Sequence, residues 1–497
     1  MKKSPQKSPS AKIRPKRRVG ATAARKTAGA AFPIVGVGAS AGGLEAFLEL
    51  LRHLPADTGM GFVLVQHLDP QHESALPSLL ARATAMPVRE VTQDLRVGPN
   101  CVYVIPPNVQ MAITGGVLKL TPRGRDRGAT RAIDFFFEAL ARDQRELAIG
   151  VVLSGTATDG TLGLEAIKAE GGVTFAQNKS AKYDSMPRSA IAAGCVDFVL
   201  SPEDIADELA RIAEHPLVAG GARAKVAGAR AAIVSEASAP GGDDGFKRIL
   251  LLLRNHSGVD FSLYKSSTIQ RRVTRRLVLN KCETLAAYAA ILRGNAKELD
   301  ALYSDVLISV TSFFRNPDAF AVLRIKIFPK LFAQRGRDEP VRIWVPGCST
   351  GQEAYSLAMI FAEASAKTAR APKLQIFATD LNDALLEKAR HGLFAKTLVQ
   401  DVSPERLRRF FTAEEGGWRV NKALREQVVF ARQNVMSDPP FSRMDLITCR
   451  NVLIYLEPEL QKRIMPAFHY ALKPGGFLFL GASESIGAFT ELFAPAD

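Results

Sequence analysis

The stretch PIVGVGASAGGLEA, residues 33–46, constrains the first half of the chain more than any other. Ile34 to Val37 is an apolar run of strand length. It ends in Gly38-Ala39-Ser40-Ala41-Gly42-Gly43, and a helical pattern of Leu44, Phe47, Leu48 and Leu51 begins at once. A hydroxyl therefore stands on a tight strand-to-helix turn. Gly38-x-Ser40-x-Gly42 fits a nucleophile elbow, where small neighbours let a serine project above the sheet and helix amides stabilise an oxyanion. Gly36-x-Gly38-x-x-Ala41 fits a dinucleotide fingerprint equally well, with the same amides holding a pyrophosphate. That second reading wants an acid closing the next strand. The run Met60 to Val65 closes instead in Gln66-His67, with Asp69 two residues late.

Strand-like runs at 33–38, 60–66, 101–105, 147–153 and 196–200 alternate with helical patterns at 44–53, 74–83, 131–142, 161–169 and 202–213. Such alternation predicts an open parallel α/β sheet, whose sites form beyond the carboxyl ends of the strands. Three chemically able residues take that position: Ser40, His67, and Asp159 in Ser154-Gly155-Thr156-Ala157-Thr158-Asp159-Gly160. Each has an ordinary structural use as a cap, a satisfied polar group or a turn. Together they supply a nucleophile, a base to activate it, and a carboxylate to orient that base.

The order Ser, His, Asp matches none of the familiar serine-hydrolase orders. With VLVQHLDP, VYVIPPN, RAIDFFFEALA, VVLSGTATDGTLGL and FAQNKSAKYDSMPRSAI, the region 32–215 resembles the catalytic domain of bacterial chemotaxis protein-glutamate methylesterases (CheB-type). The resemblance implies catalytic roles for Ser40, His67 and Asp159, and hydrolysis of glutamyl methyl esters on receptor helices, with glutamine deamidation as a companion activity. Ala41 stands where the family usually has Thr, and Thr156 where it has Met. Only 39 residues precede Ser40, too few for the phosphoreceiver that usually precedes this domain, which implies control from elsewhere.

Composition bounds the remainder. With 497 residues, 47% of them hydrophobic, the chain can hold two or three domains of roughly 100–200 residues. The net charge of +15 is mostly a tail: residues 1–31 carry ten Lys and Arg and no acid, leaving +5 for all that follows. That Ser-, Pro- and Ala-rich tail reads as disordered and solvated rather than as a nucleic-acid arm. No apolar run approaches the roughly 18 residues of a membrane span. Five scattered cysteines without CxxC spacing read as reduced cytoplasmic thiols rather than a metal site.

Residues 216–245 read as a linker, because Ala, Gly and Ser dominate and Pro240-Gly241-Gly242 breaks any element. The segment 246–335 is helical in pattern, and its basic helix with Arg271, Arg272, Arg275 and Arg276 suits either solvent or an acidic partner. A second α/β domain spans 336–497. Val341–Val345 leads into Pro346-Gly347-Cys348-Ser349-Thr350-Gly351-Gln352-Glu353, a glycine loop without the lysine of a P-loop. The next strand closes at Asp380, where a carboxylate can accept ribose hydroxyls. A third ends in Arg450-Asn451, and Lys473-Pro474-Gly475-Gly476 precedes a fourth. These features suggest a methyltransferase sheet using S-adenosyl-L-methionine.

With SVTSFFRNPDAF, VPGCSTGQEAYSLAM, ATDLN, ARQNVMSDPP, DLITCRNVLIYLEPELQ and LKPGGFLFLGASESI, residues 246–490 resemble the chemotaxis receptor glutamate O-methyltransferases (CheR-type). The resemblance implies cofactor contacts from Thr311, Arg315, Glu353, Asp380, Asn434, Val435, Arg450 and Asn451, and an acceptor pocket lined by Tyr455. The sequence ends before the antiparallel strand that usually closes this sheet. The expectation is α/β throughout: two doubly wound, mostly parallel-sheet domains with a small helical domain between them. The expected function is a cytoplasmic enzyme that adds and removes methyl groups on chemoreceptor glutamates, with separate regulatory or kinase proteins as further partners. A signalling scaffold with one degenerate site, and a small-molecule methyltransferase fused to a hydrolase, are the alternatives.

Overall fold

A computed structural model of the chain describes residues 32–66, 76–122, 131–218, 244–307, 309–333, 339–368 and 371–496. The basic tail over 1–31, His67 and most of the 216–245 linker lie outside the described residues.

The Ile34–Ala39 strand is buried along its whole length because both faces of its sheet are covered. Val35 and Val37 pack toward the Gly43–His53 and Pro202–Glu214 helices, and Ile34 packs on the opposite face with the Ala132–Gln144 helix. Seven parallel strands form this sheet, in the order 198–200, 173–177, 148–152, 34–39, 61–66, 101–104, 88–90. Gly36 and Gly38 serve packing. A Cβ at Gly36 would lie 2.8 Å from Phe137 Cε1, and one at Gly38 2.4 Å from Ile133 Cγ2. The glycines that imitate a dinucleotide fingerprint are therefore used to let the Ala132–Gln144 helix approach the strand. Val173–Gln177 is a strand, and Ser185–Ala193 a helix, that the sequence reading missed.

Helices Asp244–Ser257, Ser266–Leu279, Leu285–Leu292 and Ala296–Val306 gather around Ile249, Leu253, Phe261, Val273, Tyr288 and Leu302. The helical segment expected over 246–335 divides near residue 307. Beyond it, Phe320, Leu323, Phe328 and Leu331 join the core of the second sheet. That sheet has five parallel strands in the order Val428–Arg432, Leu374–Asp380, Val341–Pro346, Met444–Cys449 and Leu472–Leu480.

The basic helix has an acidic partner within the chain. Arg275 donates to Gly172 O at 2.9 Å and pairs with Asp197 of the first domain and Asp305 of its own. Arg272 donates to the carbonyls of Lys168, at 2.7 Å, and Ala169, filling the acceptors left at the carboxyl end of the Thr161–Glu170 helix. Arg276 turns inward to Glu298.

Candidate active sites

Both sheets reverse their strand order beside their first strand, and both candidate sites open there. In the first sheet, register pairs Ala39 with Gln66 and Gly38 with Val152. Ser40 and the loop 154–160 therefore leave the sheet side by side, and Gln66 closes the neighbouring strand on the other side of Ala39. The Ser40 N–H donates to Ser154 O at 3.0 Å, and the Gly43 N–H closes the turn on Ser40 O at 2.9 Å. Ser154 Oγ donates to Ala41 O and accepts the Tyr183 N–H, each at 3.0 Å. A Cβ at Gly155 would stand 3.0 Å from Ser40 Cβ and 2.1 Å from Met186 Sδ, so the floor beneath Ser40 tolerates no side chain there. The N–H groups of Ala41 and Gly42 have no acceptor among the described residues.

Asp159 is buried in the same loop. Its Oδ2 accepts the Ile133 N–H at 2.9 Å, and its Oδ1 accepts those of Asp134, at 2.9 Å, and Gly160, at 3.0 Å. The first turn of the Ala132–Gln144 helix thereby holds the carboxylate. The structure brings Ser40 and the Asp159 loop to one end of the sheet. Thr156 is exposed, and Ala157 adopts φ 67°, a left-handed conformation that favours glycine.

In the second domain a single cavity is lined by Thr311, Arg315, Glu353, Asp380, Asn434, Val435, Arg450 and Asn451, all eight of the residues expected to meet the cofactor. Tyr455 lines it too. Positive φ at Gly347, Ser349 and Gly351 folds the glycine loop back, and Asp380 fastens it, accepting the Ser349 N–H at 2.8 Å and the Asn382 N–H at 2.9 Å. Burial raises the Asp380 carboxyl above its ordinary range. Burial likewise raises Glu353, opposed by Arg450, which pairs with it at 3.1 Å; Thr448 donates to the other oxygen.

This lining suits S-adenosyl-L-methionine. Val310, Leu381, Val435 and Met436 offer an apolar seat for a purine, and Asp380 retains lone pairs for hydroxyl donors. Gln433 Oε1 and Arg450 Nε are buried without a partner, and both residues line the cavity. Two residues unassigned by sequence reasoning complete the site. Tyr264, from the helical domain, forms one wall. Glu484 accepts four N–H groups, from Asn451, Leu453 and Gly481 at 2.8 Å and Val452 at 2.9 Å, and so holds the loop that carries Arg450 and Asn451.

Comparison with known families follows the same division. The CheB methylesterase model matches residues 35–209, the all-alpha domain of CheR methyltransferase matches 244–307, and the CheR methyltransferase SAM binding domain matches 309–497. A chemotaxis protein methyltransferase of Listeria monocytogenes is 33% identical over 236 residues, 47% of this chain and 87% of that protein. The chain belongs to both families, CheB and CheR fused. S-adenosyl-L-methionine is the cofactor of the CheR half. An uncharacterised 104.1 kDa protein of Rhodobacter capsulatus, from the hypE 3′ region, is 42% identical over 422 residues, 83% of this chain, and the chain spans 44% of its length. The Thermotoga maritima CheB methylesterase catalytic domain aligns at 27% identity with a TM-score of 0.35, over 37% of this chain and 99% of that one. Among the described residues no helix is long and apolar enough to cross a membrane.

Proposed function

We propose that this CheB–CheR fusion hydrolyses glutamyl methyl esters on chemoreceptor helices with its first domain and forms them with its second. The observation that carries the reading is the paired placement: a serine at a strand-to-helix turn in one domain, and eight cofactor-type residues around one cavity in the other.

In the first domain Ser40 Oγ attacks the ester carbonyl while His67 takes its proton, and Asp159 fixes the imidazole tautomer. The amides of Ala41 and Gly42 suit an oxyanion. The proton returns to the departing methoxide, methanol leaves, and water enters by the same base to release glutamate and regenerate Ser40. Attack by Ser40 on a glutamine amide, with ammonia leaving, gives deamidation by the same steps.

In the second domain the cofactor supplies a methyl group already activated on a sulfonium. A receptor glutamate is ionised near neutral pH. The chain's part is to place that carboxylate in line and to exclude water, with Tyr455 beside the acceptor and no general base. Asp380 would hold ribose hydroxyls, and Glu353 would face the methionine end. A cytoplasmic setting and control by separate regulatory or kinase proteins complete the proposal.

The test uses purified protein with S-adenosyl-L-methionine labelled in the methyl group and receptor cytoplasmic fragments. The wild type is expected to label receptor glutamates and release labelled methanol, and Ser40→Ala to label without release. Equal methanol release by both proteins would end the esterase assignment. Labelling of free small acids in place of receptor would favour the small-molecule alternative.

A further inference from the structure

Tyr183, 43% exposed, lies against the turn that carries Ser40. A Cβ at Gly42 would stand 2.9 Å from Ser154 Oγ, 3.1 Å from Tyr183 Cδ2 and 3.2 Å from Lys182 Cβ, so the 182–183 segment rests directly on that glycine. Single exposed aromatic residues are common on protein surfaces and need no function. The mounting sets this one apart. Its N–H donates to Ser154 Oγ at 3.0 Å, and its carbonyl accepts the Gly155 N–H at 2.9 Å. Three residues on, the Met186 N–H donates to Gly155 O at 3.1 Å, and the Met186 side chain is buried. The backbone that carries the ring is thus fastened to Ser154, which accepts the Ser40 N–H, and to Gly155, which packs beneath the Ser40 side chain. On the other side Lys182 reaches across the turn to Glu45 at 3.8 Å. The phenol hydroxyl has no partner among the described residues. A rigidly held aromatic ring therefore stands at the rim of the hydrolytic site with its surface open.

We propose that Tyr183 is a specificity-determining residue of the hydrolase: its ring packs on the methylene stem of a glutamyl methyl ester while the ester carbonyl lies at Ser40. This rests on the esterase reading above. The reacting carbon of such a side chain sits at the end of an apolar stem, and bringing that stem against a ring removes water from both surfaces. The ring is held before substrate arrives, so little freedom is lost on binding. The stem does not change during hydrolysis. Its contact with the ring is equal in the ground state and the transition state, and belongs in KM rather than kcat. An ester without a stem gains nothing from the ring, which is how Tyr183 discriminates.

The experiment measures methanol release by the full chain as wild type, Tyr183→Ala and Tyr183→Phe, with two substrates: a methylated receptor cytoplasmic fragment, and methyl acetate, which has no stem. For the receptor ester, Tyr183→Ala is expected to raise KM by about threefold to tenfold, the range of one aromatic contact, with kcat within about twofold of wild type. Tyr183→Phe, which keeps the ring, is expected to restore the wild-type KM. For methyl acetate, kcat/KM of Tyr183→Ala should stay within about twofold of wild type, which also verifies that the Ser40 turn is intact. An unchanged receptor KM in Tyr183→Ala would overturn the proposal and leave the esterase reading standing. So would an equal loss on both substrates, which would make the ring a prop for the turn, or a Tyr183→Phe as weak as Tyr183→Ala, which would assign the contact to the hydroxyl. No Ser40-dependent release from receptor by the wild type would end both readings.

Discussion

Asp159 and Asp134 cap each other's helices. Asp159 accepts two N–H groups in the first turn of the Ala132–Gln144 helix, one of them from Asp134 itself, while Asp134 Oδ1 accepts the Gly163 N–H in the first turn of Thr161–Glu170 at 2.8 Å. The exchange fixes the loop between Ser154 and Gly160 from both sides, beside Ser40. It also places two buried carboxylates together, which disfavours ionising both. Desolvation, then Asp159, raises Asp134 to about 7, and desolvation, then Asp134, raises Glu165 to about 7.

A pH dependence of stability follows. Asp134 and Glu165 bind protons more tightly folded than unfolded, so their contribution is complete below about pH 4 and disappears as pH rises through about 7. Asp134→Asn keeps an acceptor for Gly163 and cannot ionise. Urea unfolding at several pH values is expected to show a shallower decline between about pH 4 and 7 in the variant than in wild type. Parallel declines would assign the titration to other groups.

Ala157 offers a gain. At φ 67° an alanine carries a steric cost of about 1–2 kcal/mol that glycine avoids. Ala157→Gly gives part of that back as unfolded-state entropy, so a net stabilisation of about 0.5–1 kcal/mol is expected in denaturant unfolding. No gain, or a loss, would contradict the left-handed conformation of this loop beside Ser40.

How much of this was legible in the sequence depends on where each residue's partner lies. Ser40, Asp159 and Asp380 could be singled out because strand ends are written in short local motifs, whereas the eight cavity residues as a set were indicated only by the resemblance to CheR-type methyltransferases. Gly36 and Gly38 were ambiguous, since a glycine that admits Phe137 and Ile133 looks the same in sequence as one that admits a pyrophosphate. Glu484 and Arg272 were unassigned for a different reason. Their partners are backbone groups, 31 to 33 positions away for the Asn451–Leu453 amides and 103 to 104 for the Lys168 and Ala169 carbonyls, and no side-chain pattern marks a backbone partner. The split of the helical segment near residue 307 was hidden because helices packed on a bundle and helices packed on a sheet share one periodicity.

Asp380 should govern cofactor affinity. Asp380→Asn removes the charge from a carboxylate that braces Ser349 and faces the cavity. Hydrogen bonds to a charged group contribute about 1.5–3 kcal/mol, so calorimetry is expected to show S-adenosyl-L-methionine binding about 10- to 100-fold weaker. Wild-type affinity would remove Asp380 from the binding set.

Glu484 tests whether the Asn451 loop must be held from behind. Glu484→Gln turns an NH2 group toward backbone donors that now meet a carboxylate oxygen, and unpaired buried donors cost about 1–3 kcal/mol each. Asn451, at φ 57°, depends on that support to stay in the cavity wall. The expected outcome is weaker cofactor binding and reduced methyl transfer, with Ser40-dependent ester hydrolysis retained. Equal loss of both activities would indicate general unfolding instead.

Arg275 decides whether the two halves unfold as one. Its side chain is fully buried between Asp197 and Asp305, and its Nε is spent on Gly172 O. Desolvation pushes Asp197 up, but Arg275 and Lys168 outweigh it and hold the carboxyl below its ordinary range. Arg275→Ala leaves Asp197 with Lys168 at 3.5 Å and Asp305 with Arg276 at 3.7 Å, so two buried carboxylates on opposite sides of the domain junction lose their nearest cation, at a cost below the about 3–5 kcal/mol of a buried charge left with no partner. Both tryptophans, Trp344 and Trp418, lie in the CheR half, so their fluorescence follows that half while circular dichroism follows the whole chain. In wild type the two signals are expected to change at one urea concentration. In Arg275→Ala they should separate, because the junction no longer couples the domains. Coincident transitions in the variant would mean that apolar contacts, and not this arginine, hold hydrolase and transferase together.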